Sequence, residues 1–301
     1  MAEVKARRII DAHHHLWDLQ AVHYPWLMAR GQRRFFGDPA PIQRNYRVED
    51  LKADIGALPV VDSVHIQVGA SDPLAETRWV QHSAEQKGLP GAMVASCDLA
   101  APDAAETLDA HLAFDRVRGV RQIVGRSRLE GDPPENDLLN DPAWRAGLGR
   151  LVERGLSFDL QLIPSQLVRA REVLETVPEL DVALCHAGSP GDAGAEGFDD
   201  WRRGIRALAA LPNVWCKLSG FAMFDHAWTV DSIRPYVLEC IAAFGPARCM
   251  FGSNFPVDRL YSSYRETWKA YLRLIADFSE DERDRMLYRN ARTFYKLETS
   301  V

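Results

Sequence analysis

His13 and His15, in the stretch Ile9-Ile10-Asp11-Ala12-His13-His14-His15-Leu16-Trp17, are the residues of this chain best placed to do chemistry. The segment reads as a β-strand. Strand side chains alternate faces, so His13 and His15 project together and His14 points away. Two imidazoles on one face at a strand end can hold a divalent metal or a reacting oxygen. A third imidazole, His186, lies near the end of another apolar run, Asp181 to Ala187. Three nitrogens plus a water suit tetrahedral zinc. Asn254 stands near the end of a later run and Asp258 follows it. The carboxylate of Asp258 could serve as a base, whereas the Asn254 amide can only exchange hydrogen bonds.

These residues meet only if the strands that carry them share one sheet end. Eight short apolar or β-branched runs recur: 8–15, 60–68, 91–99, 117–124, 156–162, 181–187, 213–219 and 248–255. They are mostly apolar on both faces, as parallel strands covered by helices must be. Helical patterns stand between many of them. Pro73 to Lys87 has Asp72 as its N-cap, Pro73 at the first position and Gly88 beyond its end. Helices are also expected over 142–154, 165–177, 200–211, 232–244, 262–277 and 280–290. Strand and helix in alternation predict a (β/α)₈ TIM barrel in one domain, 1–301, rather than an open sheet. Long connections over 19–45 and 126–140, after strands one and four, would then rim the substrate pocket. The Gly-rich 188–197 is expected to be mobile.

In such a barrel the polar residues at the strand ends converge. Strand two offers His65 and Gln67, strand three Cys97-Asp98, strand four Arg121, and strand five Asp159 and Gln161. Strand seven offers Lys217 and Ser219, and strand eight Ser253-Asn254. Arg121 suits a carboxylate, with Gln67 and Gln161 as hydrogen-bond partners for substrate and Trp17, Tyr24 and Trp26 as pocket walls. For each there is a plain structural role to weigh: an ion pair for Arg121 and Lys217, layer packing for the glutamines, a loop cap for Asp258.

Bulk properties narrow the class. The 301 residues carry a net charge of −6, from 36 basic and 42 acidic side chains, which disfavours nucleic acid and anionic membranes as partners. Five scattered cysteines without a Cys-x-x-Cys spacing point to inert thiols in a reducing compartment. Met1 to Arg8 is charged and leads straight into a strand, unlike a signal peptide. A cytoplasmic enzyme is expected, and a homo-oligomer is compatible with the sequence.

Four segments carry a family resemblance: 10–17 with its His-x-His, Leu184-Cys185-His186-Ala187-Gly188-Ser189-Pro190, Asn213-Val214-Trp215-Cys216-Lys217-Leu218-Ser219-Gly220 and Phe251-Gly252-Ser253-Asn254-Phe255-Pro256-Val257-Asp258. In this order, and with the closing Asn290-Ala291-Arg292-Thr293-Phe294-Tyr295, the chain resembles the amidohydrolase superfamily, nearest its branch of sugar lactonases and dicarboxylic lactone hydrolases. The resemblance implies a barrel with the site at the strand C-termini. It places His13, His15 and His186 around a hydrolytic water and the scissile carbonyl, with one divalent metal, zinc foremost, or none. The chain departs from the family pattern at strand eight, where Asn254 replaces a proton-accepting aspartate. Strand four lacks a metal-bridging Lys or Glu, and strand five has Asp159 and Gln161 in place of a histidine, so a binuclear site is not expected. The expected activity is hydrolysis of a sugar-acid or dicarboxylic-acid lactone. A metal-dependent decarboxylase and a catalytically inactive binding barrel are the alternatives.

Overall fold

The computed structural model describes residues 8–125, 137–191 and 195–298. Its strands are β1 (Ile9–His14), β2 (Val60–Ile66), β3 (Ala92–Ala95), β4 (Val117–Ile123), β5 (Ser157–Gln161), β6 (Val182–Leu184), β7 (Val214–Leu218) and β8 (Cys249–Phe251). All adjacent pairs are parallel, in the order β1 through β8. Residues just past β8 close the ring, where Asn254 N donates to His13 O at 2.7 Å and His15 N to Phe255 O at 2.7 Å. The molecule is a (β/α)₈ barrel.

The outer layer comprises α1 (Val48–Ile55), α2 (Pro73–Lys87), α3 (Ala104–Leu112), α4 (Pro142–Glu153), α5 (Leu167–Leu174), α6 (Ala195–Ala209), α7 (Val230–Phe244) and α8 (Tyr264–Leu274). Local chemistry sets their ends. The Asp72 carboxylate accepts from Leu74 N and Ala75 N, and Gly88 ends α2 in the left-handed region at φ 81°. Asp141 caps α4 in the same way through Ala143 N and Trp144 N. The sequence pattern does not single out α1 or α3. Each is short; α3 buries only Ala104, Leu108 and His111, so its apolar stripe is faint. The expected last helix, 280–290, is instead a continuous run of α, π and α turns over 280–294.

Two cores follow from the two faces of the strands. Ile10, Ala12, Val64, Ile66, Ala92, Val94, Ala183 and Met250 fill the barrel interior and pack against Phe294 and Tyr295. Outward-facing residues such as Phe158 meet the helices, here Trp144 at 5.8 Å between ring centroids. The strands are shorter at their C-terminal ends than expected, because there the chain leaves the ladder to build the site. The connection expected after β4 lies outside the described residues over 126–136, as does 192–194 of the Gly-rich stretch. All five cysteines are free and buried. Among the described residues no helix is long and apolar enough to cross a membrane.

Candidate active site

Simple alternation along β1 would send His13 to the same face as Asp11, yet the two part company. The β1–β2 register shifts between Asp11 and His14, and an extra residue in one strand re-aims the side chains beyond it. Ile10 and Ala12 lie in the barrel core. Asp11 turns outward, accepting from Ser253 N at 2.8 Å, Ser253 Oγ at 2.6 Å and Tyr264 Oη at 2.9 Å. Burial raises its carboxyl to about 6 despite these bonds. Past the shift, His13 and His15 enter the barrel and meet at 5.1 Å between ring centroids.

His186 completes the group, its ring 4.4 Å from that of His13. It follows β6 on a run of left-handed residues: His186 (φ 53°), Ala187 (φ 51°), Gly188 (φ 70°) and Ser189 (φ 56°). Such conformations cost energy in non-glycine residues and gather at functional sites. Ser219 Oγ lies 3.0 Å from His186 Nδ1. Glycines make room for both residues, Gly220 for the His186 ring and Gly252 for the His13 backbone and Cβ. A Cβ at Gly252 would fall 2.5 Å from the His13 Cβ.

All three imidazoles are buried and held neutral. Burial comes first in each case, reinforced by His186 and Lys217 at His13, by Arg121 at His15, and by Arg121 and Lys217 at His186. Neutral rings are the form that ligates metal or accepts a proton. His15 Nδ1 lies 2.7 Å from Ile66 O, and its Nε2 lies 3.3 Å from Asn254 Oδ1. A neutral ring has one N–H. The shorter contact claims it, so Nε2 presents a lone pair beside the amide oxygen.

Asn254 (φ 56°) donates through Nδ2 to Asp258 Oδ1 at 2.7 Å. Asp258 is 2% exposed and sits behind Asn254 rather than in the cleft wall. Burial pushes its carboxyl up to about 8, outweighing the hydrogen bond from Asn254.

Above the histidines opens a cleft of about 980 Å³ lined by His15, Trp17, Gln67, Arg121, Gln161, His186 and Asn254, among others. Arg121 is held by both glutamines. Its Nη1 donates to Gln161 Oε1 at 2.9 Å, its Nη2 to Gln67 O, and Gln67 Nε2 donates to Arg121 O at 3.3 Å. The glutamines therefore also orient the guanidinium, beyond the substrate contact expected of them. Trp17 lines the cleft and donates from Nε1 to Arg44 O at 2.6 Å. Sequence reasoning did not single out Arg34, Met223, Phe224 or His226, which also line it. They sit on loops, where no periodicity marks them.

The donors suit a metal. His13 has neither ring nitrogen hydrogen-bonded although both are buried. His15 and His186 stand beside it with imidazole nitrogens of the kind zinc accepts, while among the described residues the three donor atoms that lie within 4.8 Å of one another are those of His13, Asp159 and Cys185.

A family model described as Amidohydrolase matches residues 10–297. An uncharacterized protein, y4mH, of Sinorhizobium fredii is 40% identical over 296 residues, covering 96% of this chain and 98% of its own length. An L-fucono-1,5-lactonase of Burkholderia ambifaria is 28% identical over 302 residues, covering 96% of each. A crystal structure of an amidohydrolase from Burkholderia multivorans with bound zinc superposes with a TM-score of 0.83 at 27% identity, over 97% of this chain and 100% of that one. Barrel, imidazole cluster and sequence match agree: the chain belongs to the amidohydrolase family.

Proposed function

We propose that this protein hydrolyses the lactone of a sugar acid or a dicarboxylic acid. The observation that carries the reading is the meeting of His13, His15 and His186 beneath a cleft whose wall holds Arg121. The lactonase name of the Burkholderia ambifaria relative supports it.

His186 is the base. It takes a proton from the attacking water as the new carbon–oxygen bond forms at the lactone carbonyl. The charge that develops on the carbonyl oxygen is met by the ring N–H of His13, whose nitrogens have no other hydrogen-bond partner. Collapse of the tetrahedral intermediate breaks the ring carbon–oxygen bond. The proton on His186 passes to the departing oxygen, giving a hydroxy acid. Asn254 Oδ1, beside the His15 lone pair, orients the water by accepting its hydrogen bond. Arg121 binds a substrate carboxylate or hydroxyls through its guanidinium fork. Trp17 supplies an apolar wall. Asp258 acts from behind, by fixing the Asn254 amide.

His13, His15 and His186 would hold one divalent metal, zinc foremost, which when bound lowers the pKa of water and polarises a carbonyl. The neutral imidazoles also allow metal-free hydrolysis, because a lactone is already a reactive ester. We place the activity in the cytoplasm of a bacterial-type cell, with the 1–301 chain acting as one domain.

The test is a pH-indicator screen of sugar-acid and dicarboxylic lactones, with and without chelator. At least one should be opened enzymatically, and His186→Ala should lower its turnover by roughly 10²–10⁴-fold. Unchanged turnover in that variant sinks the mechanism. Release of carbon dioxide from an aromatic acid would replace it with decarboxylation, and saturable binding without turnover would leave a binding barrel.

A further inference from the structure

A second set of donors in the barrel shares only His13 with the proposed hydrolysis. His13, Asp159 and Cys185 bring a ring nitrogen, a carboxylate oxygen and a thiol sulfur within 4.8 Å of one another. They come from β1, β5 and the residue after β6, and all three are fully buried. One nitrogen, one oxygen and one sulfur are a donor set that zinc or cobalt accepts. Both ring nitrogens of His13 are without a hydrogen-bond partner, so at least one donor is uncommitted.

A positive charge already occupies the neighbourhood. Lys217, from β7, is itself fully buried and pairs with Asp159 Oδ2. Its Nζ stands 4.8 Å from the centre of the Tyr295 ring, whose hydroxyl donates to Asp159 Oδ1 at 2.9 Å. The Cys185 thiol reaches the same Asp159 Oδ2 at 3.9 Å. Ammonium and thiol thus converge on one carboxylate oxygen.

We propose that the Lys217 ammonium is the resident cation of the His13–Asp159–Cys185 set, filling with a covalently attached charge the place where these donors would otherwise bind a divalent metal ion. Charge balance is the reason. The ammonium and the Asp159 carboxylate cancel, with the thiol and His13 neutral. A divalent ion also balances, against the carboxylate and a thiolate, provided that the lysine charge is gone; the metal–sulfur bond forms as the thiol releases its proton to solvent. Ammonium and metal together would leave one uncompensated positive charge in a fully buried site, which is strongly unfavourable. Any metal in this barrel is thereby confined to the upper three histidines. The inference does not rest on the lactonase reading.

Cobalt(II) titration of the full-length, metal-free protein tests it, read by thiolate-to-cobalt charge-transfer absorption and by proton release. The wild-type chain should show no thiolate band. Lys217→Gln should gain one cobalt per chain with such a band and release one proton, and adding Cys185→Ser should abolish the band. A thiolate band in the wild type overturns the proposal, because the set is then open beside the lysine. So does a folded Lys217→Gln chain without a band. Should that variant not fold without metal, refolding it in cobalt(II) carries the same expectation, because the ion then balances Asp159 and the Cys185 thiolate; a chain that stays unfolded there, or folds without the band, overturns the proposal.

Discussion

The imidazole of His186 rests against the bare Cα of Gly220: a side-chain carbon at 220 would stand 2.5 Å from His186 Nδ1. Gly220 also holds a φ of 68°, where an L side chain is strained. Gly220→Ala should therefore displace the ring as well as strain the backbone. We expect a stability loss of about 1–3 kcal/mol from the backbone and a fall in kcat beyond what unfolding explains. Thermal melting alongside steady-state kinetics checks this. An unchanged kcat would show that His186 tolerates a shift and is not positioned for the reaction.

Asn254→Asp would set two carboxyl groups at the spacing now bridged by a 2.7 Å hydrogen bond. Such a pair shares one proton, so one member is ionised near neutrality. That member would supply the base that the amide cannot be. The expected outcome is a gain of at least about tenfold in turnover, below the full 10²–10⁴ range of general-base catalysis, with a new acidic limb in the pH–rate profile. Loss of turnover would show that the amide is needed as an amide.

Arg121 is held in a fixed fork by Gln161 and the Gln67 carbonyl. Arg121→Met should raise KM for a carboxylate-bearing lactone by roughly ten- to a hundredfold, since a charge-assisted hydrogen bond contributes about 1.5–3 kcal/mol. Arg121→Lys should recover little, because an ammonium has no planar fork. Equal KM values in all three proteins would remove Arg121 from substrate binding.

Asp258 makes stability depend on pH. Burial pushes its carboxyl up to about 8 in the folded chain, from an ordinary value of 3.8. Between these values the folded state holds a proton that the unfolded state has lost. Stability therefore falls as pH rises through this window and levels off above it. Glu76, also raised by burial to about 8, acts in the same direction. Asp258→Asn should narrow the gap in melting temperature between pH 5 and pH 8 without abolishing it. A gap as wide as the wild type's would mean that Asp258 is ionised in the native protein.

Much of this was legible in the chain, for identifiable reasons. Parallel strands declare themselves as apolar runs, and α2 is bounded by Asp72, Pro73 and Gly88, residues whose conformations admit few alternatives. His13, His15 and His186 could be assigned to one mouth because each ends a strand. The β1 register shift could not be read, because the extra residue has no signature of its own. Nor could the Asp159–Lys217–Tyr295 cluster, which joins β5, β7 and the C-terminal segment across the barrel. Asp258 could be seen as a carboxyl near Asn254, but its burial behind the amide is set by the fold.

The seam between the first strand and the last runs through the imidazole cluster: Asn254 and Phe255 bond to His13 and His15, and Ser253 to Asp11. A nascent polypeptide thus carries all three histidines long before it owns a working centre. The cluster is pinned on both sides only when the final rung docks onto the opening one. A ribosome stalled short of that point would hold a chain with every imidazole of the cluster and without the hydrogen bonds that fasten His13 and His15 to Asn254 and Phe255.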